Sequence, residues 1–172
     1  LRLLGGDIFK RNEYKYFLLA PYLYLTLNKK KINQLDPYNY FDWLMNISEK
    51  KNIKSLFNFV VSNNSYFDPD YSLDDFKVIK LLKNISSRGH KIGLHLSYDS
   101  YNNKQQIEYQ FQKLKKTLKK ENITQNLIYS RTHYLRWVHP ETLLFQDFAG
   151  INIDTSMGYS DCAGFRCGTS HS

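Results

Sequence analysis

Cysteine is nearly absent. The two present, Cys162 and Cys167, are too few for a disulfide framework and lack the second pair that a zinc knuckle needs. Both read as free thiols, and neither fixes the compartment. Long apolar runs are missing as well. The most apolar stretch, Tyr16 to Leu27, falls well short of the roughly 20 residues that cross a bilayer, and Pro21 interrupts it. No signal peptide is visible, and the chain reads as cytoplasmic, with no transmembrane segment. A starting Met is also missing. The chain opens on Leu1 and stops at Ser172 without a helix-end or tail signal, so it reads as an internal piece of a longer protein.

Acidic residues are in short supply: 16 Asp and Glu stand against 24 Lys and Arg, a net charge of +8. A basic balance can mean a nucleic-acid partner, but these lysines are scattered. Their densest run, Lys113 to Lys120, falls on an amphipathic pattern and reads as a solvated helix face. With 14 Tyr and 11 Phe among many Lys, Asn and Ile residues, the composition follows the drift of an AT-rich genome, which weakens any argument from charge. Nucleic acid is therefore not expected as a partner. The 172 residues are enough for one domain with a hydrophobic core.

What is present is an alternation of periods. Residues 1–35 read as a largely helical lead-in with a Gly5-Gly6 break. Asp36-Pro37 is a helix start, after which Phe41, Leu44, Ile47 and Ser48 follow the helical period. Ile53 to Val61 reads as a buried strand, and Ser62 to Tyr71 as a loop. Ser72 with Asp75 has the form of a capping box ahead of a stripe of Phe76, Ile79, Leu82 and Ile85, which Gly89 ends. Lys91 to Leu96 is the next strand. The helix from Lys104 to about Lys120 carries Ile107, Phe111, Leu114 and Leu118 on one face. A strand near Asn126 to Ser130, a helix from Pro140 to Ala149 and a strand from Ile151 to Asp154 complete the series. Trp43 and Trp137 are expected in the core or in a pocket wall. The fold class is therefore α/β, with a mostly parallel sheet, open or closed into a barrel.

Such folds carry their chemistry at the C-terminal ends of the strands. Those ends hold His95, Ser97 and Asp99, then Arg131, His133 and Arg136, then Asp154. His90 opens a strand and reads as structural. Asp154 faces a ligand or closes an Asx turn, two readings that the residues leave open. Asp161 and Arg166 in the glycine-containing tail are candidates for binding a ligand or parts of an irregular loop held by its own hydrogen bonds.

The run Gly89-His90-Lys91-Ile92-Gly93-Leu94-His95-Leu96-Ser97-Tyr98-Asp99 resembles the segment of NodB-type polysaccharide deacetylases that leads into a metal-binding histidine. Ser130 to Trp137 is similar to that family's arginine-containing loop. Ile153 to Tyr159 and Gly164 to Thr169 resemble a divergent bacterial branch of the same superfamily, as do Asp36-Pro37, Trp43 to Met45 and Phe67-Asp68-Pro69. The likeness keeps its order over nearly the whole chain. It implies an incomplete (β/α) barrel, a single partial domain over residues 1–172, and a divalent metal, zinc or similar, bound by Asp and His.

The activity implied is hydrolysis of acetyl groups on a bacterial cell-surface carbohydrate or its precursor. By position, His95 matches the first metal histidine, and Asp99 stands where the second belongs. Arg131 matches the residue that orients a catalytic carboxylate, with Asp154 the second catalytic candidate. His133, Arg136, Asp161 and Arg166 are expected to bind substrate. The family's first Asp motif falls before residue 1 and its late His motif after residue 172, so the chain alone is expected to be inactive. A non-catalytic carbohydrate-binding relative of the same fold is the competing expectation.

Overall fold

In the computed structural model, the structure describes residues 39–62, 65–159, 162 and 166. The chain forms two compact units, residues 1–51 and 52–172. The helical lead-in, the Asp36-Pro37 start, Tyr16 to Leu27, Asp161 and Cys167 lie outside the described residues. Among the described residues, no helix is long and apolar enough to cross a membrane.

In the first unit, helix α1 spans Phe41–Lys50 and buries Met45 and Ser48. The apolar stripe expected there is displaced. Trp43 is 58% exposed and Leu44 and Ile47 also face outward, so Trp43 is not a core residue.

The second unit is a run of strand-helix repeats: β1 Leu56–Val60, α2 Phe76–Ser87, β2 Lys91–Leu96, α3 Lys104–Lys120, β3 Tyr129–Thr132, a 3-10 turn His133–Leu135, α4 Glu141–Ala149 and β4 Ile153–Asp154. Local chemistry sets most of these boundaries. Asp75 caps α2 by accepting from Lys77 N at 2.7 Å, and Asn103 caps α3 by accepting from Gln106 N at 3.1 Å. The expected capping box does not form, because Ser72 Oγ accepts instead from Asp74 N in a local turn. Phe76, expected in the core stripe, is 79% exposed, while Leu82 and Ile85 are fully buried. A left-handed Gly150 ends α4.

All four strands are parallel and run in the order β1-β2-β3-β4. Three right-handed crossovers made in sequence along a sheet place their helices on the same face. Helices α2 and α3 both pack on β2, and α3 packs on α4. Register then sorts the side chains. Phe59, Leu94, Ser130 and Asp154 stand side by side and share a face with the fully buried Ile92 and Leu96. Val60, His95 and Arg131 form the adjacent row, as do Gly93, Tyr129 and Ile153, and they point the other way because strand side chains alternate. On this second face Leu56, Asn58, His95, Tyr129 and Arg131 are only half-buried, and Ile153 is exposed.

Candidate functional site

His95 sits near the C-terminal end of β2, on the face away from the helices. The loop that follows it is held firmly. Fully buried Gln110 of α3 accepts from Ser97 N at 2.9 Å and donates to Ser97 Oγ at 2.7 Å. Asp68, in the loop after β1, accepts from Tyr98 N at 2.9 Å through Oδ1 and from Ser65 N at 3.1 Å through Oδ2. A buried carboxylate so engaged ties the β1 and β2 loops together.

His133 reaches the same place from the end of β3. Its ring lies 5.0 Å from that of His95, edge to face. Its Nδ1 is buried and has no hydrogen-bond partner. The next two residues, Tyr134 and Leu135, both take φ of 55°, a left-handed conformation that side chains resist. Burial pushes the His95 imidazole down to about 4; the neighbouring His133 and Arg131 add to this, and Asp68 opposes it. Burial also lowers His133, again against Asp68. Both imidazoles are therefore neutral at pH 7, free to accept a proton or a cation.

An aromatic wall stands beside the pair. Tyr98 packs on Phe67 at 4.3 Å and against Tyr134 at 5.6 Å, and the Tyr134 ring is 4.7 Å from His133. Tyr134 is 71% exposed. Two surface cavities, of about 480 and 370 Å³, line the α3 lysines and the Gln125 loop; neither touches His95 or His133.

The sequence candidates separate into groups. His95, His133 and Arg131 come together, with Arg131 beside His95 in the sheet and donating to Thr155 O at 3.0 Å. Asp99, expected as the second metal ligand, turns to Arg136 instead. It is an exposed carboxylate paired with that guanidinium at 3.1 Å. Arg136 also donates to Tyr98 O at 2.8 Å and to Tyr101 Oη at 3.0 Å. Its guanidinium lies 4.1 Å from the ring centres of both Tyr98 and Tyr101, so it clamps the loop after β2.

Asp154 stands on the helix-covered face, where an Asx turn takes up its oxygens. It accepts from Ser156 N at 2.7 Å, from Ser156 Oγ at 2.9 Å and from Ser130 Oγ at 3.0 Å. Ser130 Oγ is also 2.7 Å from Gln146 Oε1, while Gln146 Nε2 is buried and unpaired. One hydroxyl proton serves only one acceptor, so with that amide turned over Gln146 Nε2 donates to Ser130 Oγ, and Ser130 donates to Asp154. Arg166 donates to Leu135 O at 3.0 Å and so supports the turn behind Tyr134.

The residue that sequence reasoning passed over is Asp68. Its Phe67-Asp68-Pro69 context was visible, but a loop Asp before Pro is an ordinary turn signal. Only the structure shows it anchoring the loop after β2, with its charge felt by both histidines.

Compared with known proteins, the chain matches no family model and no curated protein sequence.

The donor chemistry suits a divalent cation. Two neutral imidazoles and a carboxylate are accepted by zinc and its neighbours, and the orphaned Nδ1 of His133 lacks the partner that a buried nitrogen normally has. As the side chains stand, no three His, Cys, Asp or Glu among the described residues are gathered closely enough to hold one.

Proposed function

We propose that this chain carries part of a metal-dependent carbohydrate deacetylase of the NodB-like type, its sheet forming an arc of an incomplete (β/α) barrel. The observation that carries this reading is the contact between His95 and His133, with Asp68 acting on both, at the C-terminal strand ends, on the face opposite the described crossover helices. Sequential parallel strands with all crossover helices on one side are what such an arc requires.

The reaction would be hydrolysis of an acetamide or acetate ester: water oxygen bonds to the carbonyl carbon, the C–N or C–O bond breaks, and the leaving nitrogen or oxygen takes a proton. A divalent ion, once bound, would polarise the carbonyl and acidify the water. His95 and His133, both neutral, would be its nitrogen donors. Arg131 supplies fixed positive charge beside His95, which favours the oxyanion that develops on the carbonyl oxygen. The exposed rings of Phe67 and Tyr134 offer contact to the apolar face of a pyranose, while hydroxyls at the sugar's rim meet the polar groups around them.

The test is metal content and acetate release from N-acetylglucosamine oligomers by the full-length protein and its His95→Ala variant. About one tightly bound divalent ion and measurable release, both lost in the variant, are expected. Full release from a His95→Ala protein would sink the reading. The competing reading, sugar binding without turnover, draws support from Asp99, whose carboxylate is committed to Arg136. Oligomer binding with no acetate released would favour it.

A further inference from the structure

We infer, resting on the sugar-binding part of the reading above, that Arg136 is a positioning residue. Through Tyr98 it sets the two exposed rings, Phe67 and Tyr134, that would meet the sugar, and it does not itself touch that ligand. Neither a metal nor turnover is required.

Three strand-end loops meet at Tyr98. Its backbone N–H donates at 2.9 Å to Asp68, in the loop after β1. Its carbonyl accepts at 2.8 Å from Arg136, in the segment after β3. Its ring centre lies 4.3 Å from that of Phe67 and 4.1 Å from the Arg136 guanidinium, and Tyr134 stands edge-on to it at 5.6 Å. Tyr98 is thus fixed at its amide, its carbonyl and its ring.

Arg136 is held in turn by Tyr101. The guanidinium lies 4.1 Å from that ring centre and donates to the Tyr101 hydroxyl at 3.0 Å. The Tyr101 carbonyl accepts at 2.8 Å from Oγ1 of Thr142, which is fully buried at the start of α4. The contacts therefore run in one row, from Thr142 through Tyr101, Arg136 and Tyr98 to Phe67 and Tyr134.

Two features separate this role from direct binding of a ligand. The Nη1 and Nη2 groups of Arg136 are already bonded to the Tyr98 carbonyl, Asp99 Oδ1 and the Tyr101 hydroxyl, and the Asp99 carboxylate answers its charge. A ligand would have to displace these partners. The second feature is shape. A planar guanidinium can lie against aromatic rings and bond through its edge at once, which an ammonium group cannot do. The row depends on the form of Arg136 as well as on its charge, so lysine should not replace it.

Tyr101 is one step further from Phe67 and Tyr134 along the row, which makes it the decisive position. The His133 ring lies 6.1 Å from Tyr98 and 4.7 Å from Tyr134, so its resonances report where those rings stand. The experiment compares full-length wild type, Arg136→Lys, Tyr101→Leu and the double variant, in EDTA at pH 7, by the imidazole resonances and by affinity for an N-acetylglucosamine oligomer. Both single variants should move the His133 resonances and leave those of His90, buried at the start of β2, in place. Each should weaken oligomer binding about tenfold, and the double variant no further, as expected of residues acting in one chain of contacts.

Wild-type resonances and affinity in either single variant would overturn the inference. Affinity lost in Arg136→Lys but kept in Tyr101→Leu would overturn it in favour of direct contact between Arg136 and the sugar. If Arg136→Lys does not fold, Tyr101→Leu alone decides. A wild type that binds no oligomer would sink the sugar-binding reading, and the resonances would then judge the row: a shift in Tyr101→Leu upholds it, and none overturns it.

Discussion

Gly93 shows how much one missing side chain can matter. A Cβ at this position would collide with the Asn58 side-chain oxygen and meet Leu56 Cδ1 at 3.1 Å. The glycine is needed not for a special φ but to admit Asn58 from the neighbouring strand. Asn58 Oδ1 is itself buried without a partner. Gly93→Ala should therefore destabilise by about 1–3 kcal/mol, the usual cost of overpacking. Adding Asn58→Ala should recover most of that loss, and a double-mutant cycle by chemical denaturation would measure the coupling. Additive effects would mean that the two do not meet.

His95 makes a prediction at the same scale. Its folded value near 4 lies below the ordinary histidine value of 6.5, so the unfolded chain takes up the proton first. In metal-free protein, stability should fall as pH drops from about 6.5 toward 4 and level off below that. Lowered His133 acts in the same direction. Denaturation midpoints in EDTA at pH 7 and 4.5 would check the sign, and a His95→Gln variant should lose part of the slope.

Among elements, β1 is legible as a strand from its apolar, β-branched run, but not what guards it. Within the described sheet it is an edge, and edges leave backbone groups open. Val60 N–H is met by the Tyr71 hydroxyl at 2.8 Å. Burial raises that phenol to about 12 despite the stabilising Val60 N–H. Tyr71→Phe would strand the amide and should cost about 1–3 kcal/mol, read as a lowered denaturation midpoint with the sheet otherwise intact. No change would mean that water replaces the hydroxyl there.

The same contrast runs through the other elements. Helix α3 was readable almost to the residue, because its buried Ile107, Phe111, Leu114 and Leu118 repeat at the helical period and Asn103 caps it. The stripe of α2 was legible at Leu82 and Ile85 and failed at Phe76, in the first turn, where the helix no longer faces the sheet. Strand β3 begins at Tyr129, later than its apolar lead suggests, because Gln125 and Asn152 side chains satisfy the backbone around Ile92 and Ile128 instead. Periodicity reports burial along one element; it cannot report side chains that arrive from elsewhere.

At the scale of the whole molecule, strand order and parity decide which candidates can act together. His95 and Arg131 were found from their positions at strand ends, and the sheet places them side by side. Asp154 also ends a strand, but register turns it to the opposite, helix-covered face. The sequence hides that difference, since parity depends on the pairing of β3 with β4 and not on either strand alone. Asp154→Ala should consequently cost stability, about 2–3 kcal/mol for a carboxylate with several hydrogen bonds, and leave divalent-ion affinity within a fewfold of wild type.

The turn after β3 raises a last expectation, about Tyr134. Its φ of 55° would suit glycine, and a tyrosine there costs about 1 kcal/mol or more. The ring recovers little by burial, being 71% exposed, although it stands 4.7 Å from His133 and 5.6 Å from Tyr98. Under the proposed sugar-binding reading, this mostly exposed ring is the one a bound oligomer would cover. Tyr134→Gly should raise the denaturation midpoint or leave it unchanged, while weakening binding of an N-acetylglucosamine oligomer about tenfold, the loss expected from one stacking ring. The two readouts separate the alternatives. A protein that loses stability and keeps its sugar affinity would make the ring a packing element, and the aromatic wall would then need another explanation.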